Sequence, residues 1–340
     1  MKLDFRHGVI EMAHGSGGRA MSELVDQLFL AAFDNEWLRQ KNDQACFAVP
    51  EGNLVMATDS HVVSPLFFPG GDIGSLSVHG TINDIAMSGA QPLYLAAGFV
   101  IEEGFPLCDL QLVVQSMAAA SKAAQVPIVT GDTKVVESGN ADGLYITTTG
   151  VGLVPAGLML GPGNIQPGDK ILLSGTLGDH GITIMSQREH LQFESDLVSD
   201  SQALHRLVAA MVGAVPQVAC MRDPTRGGLA ATLNELAQQA QVAMQIQESA
   251  IPINPAVAAT AELLGLDPLY IANEGKLVAI CPADKAETLL AVMRQHPQGR
   301  ESAIIGEVVA AEQICVQLQT RFGGMRFVDW RYGDPLPRIC

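Results

Sequence analysis

The chain divides into two successive halves that each alternate strand-like and helix-like patterns, and a connection rich in turns separates them. The connection contains Gly161-Pro162-Gly163-Asn164 and Gln166-Pro167-Gly168-Asp169, in which glycine and proline interrupt any regular element. A chain of 340 residues also exceeds the size at which a single core stops growing. We therefore predict two α/β domains with a boundary near residues 155–165.

Composition restricts the compartment and the partners. Hydrophobic residues make up 48% of the chain, yet no uninterrupted apolar run approaches the roughly 20 residues that span a bilayer. The net charge of −16, without a Lys/Arg-rich stretch, would repel nucleic acid and acidic membranes. The first seven residues lack the apolar block of a secretory signal, and the six cysteines include no close pair. We therefore predict a cytoplasmic protein without a disulfide framework, a zinc site, a nucleic-acid partner or a membrane.

Two aspartates in the first half are candidates for metal binding. An apolar run at 54–57 predicts a buried strand that delivers Asp59 at its carboxyl end, where α/β proteins favour ligands. A helical pattern at 78–90 places Asp84 among apolar neighbours. Taken alone, Asp84 is interpreted as a solvated residue of a helix face. Together with Asp59 it favours a Mg²⁺ site, because Mg²⁺ is commonly held by one or two carboxylates plus substrate phosphates.

Three further segments are candidates for phosphate contacts. The glycine-rich segment 14–18 precedes a helical pattern, and such loops bind phosphate through their backbone N–H groups. Taken alone it is more typical of a flexible linker. Lys134 follows a strand-like run and a predicted turn at Gly131, and it would act as a point charge, since the Walker A spacing is absent from the chain. The segment 222–229 opens a long helix with arginines and paired glycines.

The last residue carries both a thiol and the α-carboxylate of the chain, because the sequence ends at Cys340. Residues 331–340 include two prolines, a glycine and no apolar periodicity, so they predict an extended tail outside the packed core. From Trp330 such a tail spans at most about 33 to 36 Å, which is enough to reach a cleft. Position alone favours a frayed terminus with an incidental thiol.

Six short motifs, taken in order, resemble those of the ATP-binding superfamily that includes aminoimidazole ribonucleotide synthetase (PurM). The chain also ends on Pro337-Arg338-Ile339-Cys340, and with this ending it resembles the HypE family of hydrogenase maturation carbamoyl dehydratases. The six motifs are Gly15-Ser16-Gly17-Gly18, Thr58-Asp59-Ser60, Asn83-Asp84-Ile85-Ala86, Gly131-Asp132-Thr133-Lys134, Arg222-Asp223-Pro224-Thr225-Arg226-Gly227-Gly228 and Asn273-Glu274-Gly275.

The resemblance implies a two-domain PurM-like fold of the α/β (α+β) class. We expect an N-terminal glycine-rich loop and helix at 1–40, and a mixed-sheet or half-barrel domain for ATP binding and dimerisation at 41–155. A C-terminal α/β domain is expected at 156–330, followed by a mobile tail at 331–340 that carries the reactive cysteine. The resemblance also implies a homodimer.

The family chemistry implies a use for the terminal thiol. In this family the terminal cysteine receives a carbamoyl group from the partner HypF, and ATP-dependent dehydration converts it to a thiocyanate. The cyano group then passes to iron on the HypC–HypD complex. The resemblance therefore implies that Cys340 carries the reacting group and that ATP and Mg²⁺ are the cofactors. Phosphoryl transfer needs positioning and charge neutralisation, which calls for carboxylates, a phosphate loop and a cation.

Individual roles follow from the resemblance alone. Asp59 and Asp84 are expected to bind Mg²⁺, with Asp223 from the second domain as a further ligand. Lys134 is expected to neutralise charge near the reacting oxygen, and Glu274 to remove the N–H proton, although its segment alone is equally typical of a polar turn. The residues implied to contact the nucleotide are His14, Gly15, Ser16, Gly17, Gly18, Thr58, Asn83, Asp132 and Thr133.

Three alternatives stay open at this point. A selenophosphate synthetase would carry a reactive cysteine near its N-terminal glycine-rich loop, and this loop has none. A thiamine-phosphate kinase or a purine-pathway synthetase would have no use for a thiol in the tail. A scaffold that binds nucleotide as a structural ligand would not hydrolyse ATP in response to carbamoylation of Cys340.

Overall fold

The computed structural model describes residues 3–15, 19–40, 44–48, 51–189, 197–310, 313–330 and 338–340. Within these ranges the strands of the first half are β1 (Asn53–His61), β2 (Phe67–Phe68), β3 (Gly71–Asp72), β4 (Gln91–Glu102), β5 (Ile128–Val136) and β6 (Leu144–Val154). Its α-helices are α1 (Arg19–Leu24), α2 (Leu30–Phe33), α3 (Ile73–Met87) and α4 (Leu107–Ala124), with a π-helix at Val25–Phe29 between the first two.

The second half repeats the mixture of strands and helices. Its strands in the described ranges are β7 (Lys170–Leu173), β8 (Cys220–Arg222), β9 (Ala243–Gln247), β10 (Val278–Cys281), β11 (Ala303–Val309), β12 (Val316–Gln319) and β13 (Met325–Phe327). Its α-helices are α5 (Asp179–Arg188), α6 (His205–Ala214), α7 (Gly228–Ala240), α8 (Pro255–Leu264) and α9 (Ala283–Gln295).

The first sheet has one covered face and one open face. Its order is β1-β6-β4-β5, with β4 and β5 parallel and the other pairs antiparallel. Side chains alternate along β1, so Asp59 and His61 point towards α3, where Gly80 approaches both. Leu54 and Met56 lie on the opposite face and are 51% and 71% exposed. Trp37 and Phe47 pack on Tyr94 of β4 on this face, while Leu54 and Met56 of β1 remain exposed there.

Helix α3 connects the two halves. The carboxylate of Asp72 accepts two N–H groups of its first turn, and the Ser75 hydroxyl accepts the Asp72 N–H, which forms a capping box. At the other end Ala86 and Met87 join a core formed with α6 and α9. This placement carries Asp84 to the junction between the halves.

The second sheet is seven-stranded in the order β13-β12-β9-β11-β7-β10-β8, and β12 pairs parallel with β9. β8 is an edge strand and leads through Asp223 into α7. At the start of α7 a Cβ on Gly228 would lie 2.6 Å from the carbonyl oxygens of Leu269 and Ile271, and its φ is +61°. Glycine is therefore required at position 228, where the first turn of α7 packs against the backbone of Leu269 and Ile271.

Some elements differ from the sequence expectations. The predicted helix at about 107–125 is confirmed by α4, and the predicted terminal hairpin by β12 and β13. The predicted turn at Gly131 is wrong, because β5 continues through it. The predicted strand at 268–272 is a 3-10 helix, Pro268–Tyr270, since Asp267 caps the Leu269 N–H and proline occupies the first position. Within the described ranges, no helix is long and apolar enough to span a bilayer.

Of the last three residues, Arg338 is exposed, whereas Ile339 and Cys340 pack against the protein. The Ile339 side chain is 2% exposed and belongs to the core of the first half, against which the half-buried Cys340 also packs. The expectation that residues 331–340 lie outside the packed core is therefore wrong for Ile339. Residues 331–337 lie outside the described ranges.

Candidate functional site

Three aspartates from three elements meet at a cleft between the halves. Asp84 of α3 and Asp223 after β8 line this cleft, whose volume is about 470 Å³, and Asp59 of β1 is close enough to influence both. Burial raises the pKa of Asp84 to about 7, and the charges of Asp223 and Asp59 add to this effect. Burial also raises the pKa of Asp223 to about 6. The charges of Arg222 and Arg226 oppose the rise at Asp84 without cancelling it.

The cluster suits a metal that binds together with phosphate. Within the described residues, no group of three or more His, Cys, Asp or Glu side chains is close enough to hold a metal ion through the protein alone. Mg²⁺ usually takes one or two carboxylates and completes its shell with phosphate oxygens and water. Buried carboxyl oxygens that also feel one another's charge fit this mode of binding.

Two arginines supply the positive charge of the same cleft. Arg222 pairs with Glu235 at 3.0 Å. Arg226 lines the cleft, and its charge lowers the pKa of Asp59 and of Asp84 without cancelling the effect of burial on Asp84. The sequence identified the segment 222–229 as a candidate anion contact, and the structure places both Arg222 and Arg226 on the wall of the cleft.

Glu274 is a buried carboxyl beside the terminal thiol. It is 4% exposed, and its Oε1 has no hydrogen-bond partner among the described atoms. Burial raises its pKa well above the usual range, and the charges of Asp200, Asp223 and Asp59 raise it further. A hydrogen bond with Cys340 opposes this rise. The structure therefore brings together two of the residues that the sequence proposed as catalytic.

Backbone contacts hold the tail in this position. An α-carboxylate oxygen of Cys340 accepts the Val62 N–H at 3.2 Å, and the carbonyl oxygen of Ile339 accepts from His180 Nε2 at 2.8 Å. The guanidinium of Arg338 forms an ion pair with Asp142. Sequence analysis did not identify His180, because no spacing or motif marks it, and the tail contact that gives it a role comes from 159 residues further along the chain.

Lys134 does not reach the acidic cluster within one chain. It lies on β5, the far edge strand, and its side chain shares the open face with its neighbour Val100 on β4. Asp59 lies on β1 and faces α3, which covers the other side of the sheet. Three strand spacings separate these edges, which is about 14 Å. Within one chain Lys134 therefore lies away from the three aspartates, and its expected role near the reacting oxygen stays a prediction.

Other predicted nucleotide contacts lie near Lys134 instead. Asp132 shares the open face of β5, whereas Thr133 is 5% exposed and faces the helices. Gly15 packs against β5, because a Cβ there would lie 2.8 Å from the Val135 nitrogen. His14 is buried, and its Nδ1 accepts the N–H of Glu11 at 3.0 Å. Ser16, Gly17 and Gly18 lie outside the described residues.

Thr58 and Asn83 already have protein partners. Thr58 lies on the open face of β1, opposite to Asp59, and its hydroxyl bonds the Thr148 carbonyl and the Thr149 hydroxyl. Asn83 is 2% exposed. Its side chain accepts the Leu204 N–H and donates to the carbonyl oxygens of Gln202 and Glu274. Both N–H donors of this buried side chain are therefore used within the protein, so a structural role fits Asn83 better than a nucleotide contact.

Comparisons with known proteins identify the family. The model of AIR synthase related protein, N-terminal domain, matches residues 41–154, and that of the C-terminal domain matches residues 166–319. Carbamoyl dehydratase HypE of Azotobacter vinelandii is 67% identical over 339 residues, which cover 100% of this chain and 99% of that protein. The chain belongs to the HypE family of carbamoyl dehydratases. It is therefore an enzyme with the two-domain PurM-like fold that its motifs predicted.

Solved structures of the HypE family agree with this assignment. A crystal structure of HypE in complex with ATP has a TM-score of 0.94 at 47% identity, covering 97% of this chain and 99% of that one. A HypE–HypF complex has a TM-score of 0.79 at 45% identity, covering 90% and 99%. The selenophosphate synthetase, thiamine-phosphate kinase and scaffold alternatives are not favoured.

Proposed function

We propose that this chain dehydrates a carbamoyl group carried on Cys340 to a thiocyanate at the expense of ATP, and so supplies the cyanide ligand for the iron of [NiFe]-hydrogenase. The observation that carries the proposal is the contact between the Cys340 thiol and Glu274 beside the acidic cleft. A thiol on the last residue, docked against a buried base, is the arrangement that a self-modifying dehydratase needs.

The chemistry assigns a task to each group. The amide oxygen of Cys340–S–C(=O)NH₂ attacks the γ-phosphorus of ATP, so that ADP leaves and the oxygen becomes part of a phosphate leaving group. Phosphorylation of the oxygen makes the nitrogen acidic, so one N–H proton is lost to solvent and leaves the imidate S–C(OPO₃²⁻)=NH. Loss of the remaining N–H proton then expels phosphate and forms S–C≡N. Glu274 accepts that proton, since an ionised carboxylate whose pKa is raised is a stronger base than an ordinary one.

The cleft residues serve the phosphates. Asp59, Asp84 and Asp223 are proposed to hold Mg²⁺, which neutralises charge on the transferred phosphoryl group when bound. Arg226 is proposed to contact the phosphate chain from the second half, because it faces the same cleft. Asp132, Thr133 and the segment 14–18 remain proposed nucleotide contacts.

A homodimer would complete this site. The phosphate-binding candidates Gly15 and Lys134 lie at the β5 edge, whereas the acidic cluster lies at the β1 edge. A second copy packed on the open face by twofold symmetry would bring Lys134 of one copy towards the β1 edge of the other and would cover Met56. We therefore propose that residues 41–155 bind ATP and dimerise, that 156–330 complete the cleft, and that 331–340 carry the reactive cysteine.

Replacing Met56 with lysine is expected to raise the dimer dissociation constant at least about tenfold, or ~1.4 kcal/mol, because the variant buries an unpaired charge. Sedimentation velocity across a dilution series measures this change, and ATP turnover should fall in parallel. Met159→Lys is the control, since Met159 is 82% exposed and lies outside the sheet. A Met56→Lys protein that stays dimeric with full turnover contradicts the proposal.

The partners and the compartment are proposed from related evidence. A relative has been solved as a HypE–HypF complex, so a HypF protein is the proposed carbamoyl donor. The HypC–HypD complex is the proposed cyano acceptor, because a thiocyanate on a terminal residue must be delivered to iron held elsewhere. All six cysteines are free, which supports the reducing cytoplasm as the compartment.

Mass spectrometry of intact protein tests the function. Protein carbamoylated on Cys340 should lose one water when ATP and Mg²⁺ are added, and should stay unchanged without ATP or with excess chelator. Peptide mapping should place the cyano adduct on Cys340. Hydrolysis of ATP without any loss of water would overturn the assignment.

A further inference from the structure

The buried His180 holds the docked tail through a defined tautomer. Its Nε2 lies 2.8 Å from the Ile339 carbonyl oxygen, and its Nδ1 lies 2.7 Å from Ser199 Oγ. A carbonyl oxygen only accepts, so Nε2 carries the proton, and in the neutral ring Nδ1 accepts from the Ser199 hydroxyl. Burial lowers the pKa of His180, which favours the neutral ring. Ser199 Oγ also accepts the Ser201 N–H at 3.1 Å, so its own proton remains available for His180.

Asp200, which follows Ser199 in the sequence, holds the turn that contains Glu274. Asp200 accepts the N–H of Glu274 at 3.1 Å through Oδ1 and the N–H of Gly275 at 3.3 Å through Oδ2. A Cβ at Gly275 would lie 1.7 Å from the Asp200 carbonyl oxygen, so the two backbones are in direct contact. The backbone of this turn can lie so close to that of Asp200 only because residue 275 is glycine.

A buried lysine closes the network. Lys276 Nζ lies 3.2 Å from the Asp200 carboxylate and 3.4 Å from that of Asp179, which precedes His180 at the start of α5. The three charged side chains are between 3% and 10% exposed. Interactions at such low exposure are poorly screened, and removal of one partner leaves a buried charge uncompensated. The groups that hold the tail and the groups that hold the Glu274 turn therefore form one connected structure.

We propose that Ser199 and Asp200 are positioning residues that hold Cys340 and Glu274 in register for the dehydration step. Ser199 positions the tail through His180. The Asp200 carboxylate positions Glu274 by accepting the backbone N–H groups of Glu274 and Gly275. Neither residue contacts the reacting atoms. This inference rests on the proposed function, because register between thiol and base matters only if Glu274 takes a proton from the group carried on Cys340.

The connection also explains how the tail can leave and return to one geometry. When the tail departs, His180 loses its acceptor, but Asp200 and Lys276 keep the Glu274 turn in place. The returning carbonyl of Ile339 then finds a donor that Ser199 has already oriented. Preorganisation of this kind matters, because misplacement of a reacting group by about 1 Å costs on the order of 100-fold in rate.

One variant tests the role of Asp200 at the Glu274 turn, and another tests the role of Ser199 at the tail. Asp200→Asn keeps the shape but loses an acceptor and the charge that pairs with Lys276, so single-turnover dehydration should fall about 10- to 100-fold. The apparent affinity for ATP should be unchanged, and amide hydrogen exchange at Glu274 and Gly275 should be faster. Ser199→Ala should speed alkylation of Cys340 by a bulky maleimide, whereas Ser199→Thr, which retains the hydroxyl, should restore the slow rate.

Glu301→Gln is the matched control, because Glu301 is exposed at the rim of the pocket that Asp200 and Lys276 line. An Asp200→Asn protein with wild-type rate and exchange overturns the proposal, as does a loss of rate explained entirely by weaker ATP binding. If Asp200→Asn does not fold, unchanged alkylation in Ser199→Ala overturns it. Wild-type protein that never dehydrates refutes the proposed function, while exchange and alkylation still report on positioning.

Discussion

Replacement of Cys340 by alanine is expected to abolish the cyano adduct and to reduce carbamoyl-dependent ATP hydrolysis to background. The Cys340 sulfur is the atom to which the reacting group is bonded, so no partial activity should remain. The tail should still dock, because apart from the contact with Glu274 its described contacts do not use the thiol. They run through backbone oxygens of the last three residues, the Arg338 guanidinium and the Ile339 side chain. The loss is therefore chemical and not structural.

Intact-mass spectrometry and phosphate release measure this outcome together. Cys46→Ala is the matched control, since Cys46 is an exposed free cysteine and should leave both signals unchanged. Equal phosphate release by Cys340→Ala and wild type in the presence of carbamoyl donor would mean that ATP hydrolysis is not coupled to the terminal thiol. That result would return the nucleotide-binding scaffold to consideration.

Replacement of Glu274 by glutamine is expected to slow dehydration by about 10²- to 10⁴-fold, the usual contribution of a general base. Glutamine has nearly the same shape but cannot take up the N–H proton. Carbamoyl loading should be normal, because that step takes place on a partner. The carbamoyl adduct should therefore accumulate on Cys340 in the presence of ATP, and quenched-flow mass spectrometry resolves its rate of water loss.

Stability separates this effect from a folding defect. Burial raises the pKa of Glu274, so between its unfolded and folded pKa values the native state binds more protons than the unfolded state, and stability falls as pH rises. Glutamine removes this penalty, so the variant should unfold at no lower temperature than wild type at neutral pH. Glu262→Gln, on the exposed side of α8, is the control. Dehydration at wild-type rate in Glu274→Gln would assign the base to another residue.

Local patterns predicted much of the fold because they depend on neighbours in the chain. α4 and the terminal hairpin follow from periodicity and turn residues near each element. α9 was not predicted, although Ala286, Leu289 and Met293 have helical spacing and are buried on one face. β5 was interrupted at Gly131 in the prediction because glycine suggests a turn, whereas pairing with β4 keeps the strand continuous there.

The candidate site was predictable only in part. The motif order identified Asp59, Asp84, Asp223 and Glu274, and the structure brings these carboxyls within electrostatic reach of one another. Lys134 was expected, from the family resemblance, to neutralise charge near the reacting oxygen, but the sequence could not show which face of the sheet it joins. Side chains alternate across a sheet, so the face that a residue joins depends on pairing with distant strands and not on its own segment.

By itself, the sequence determined the family, the two-domain α/β architecture and the presence of a terminal thiol beside a set of acidic motifs. These features are carried by residue identity and order. Only the tertiary structure decided which groups meet. Ile339 is buried because its apolar side chain finds a core built by the first half, and this burial sets Cys340 against Glu274. Contacts across such separations arise from packing between elements, which no local pattern records.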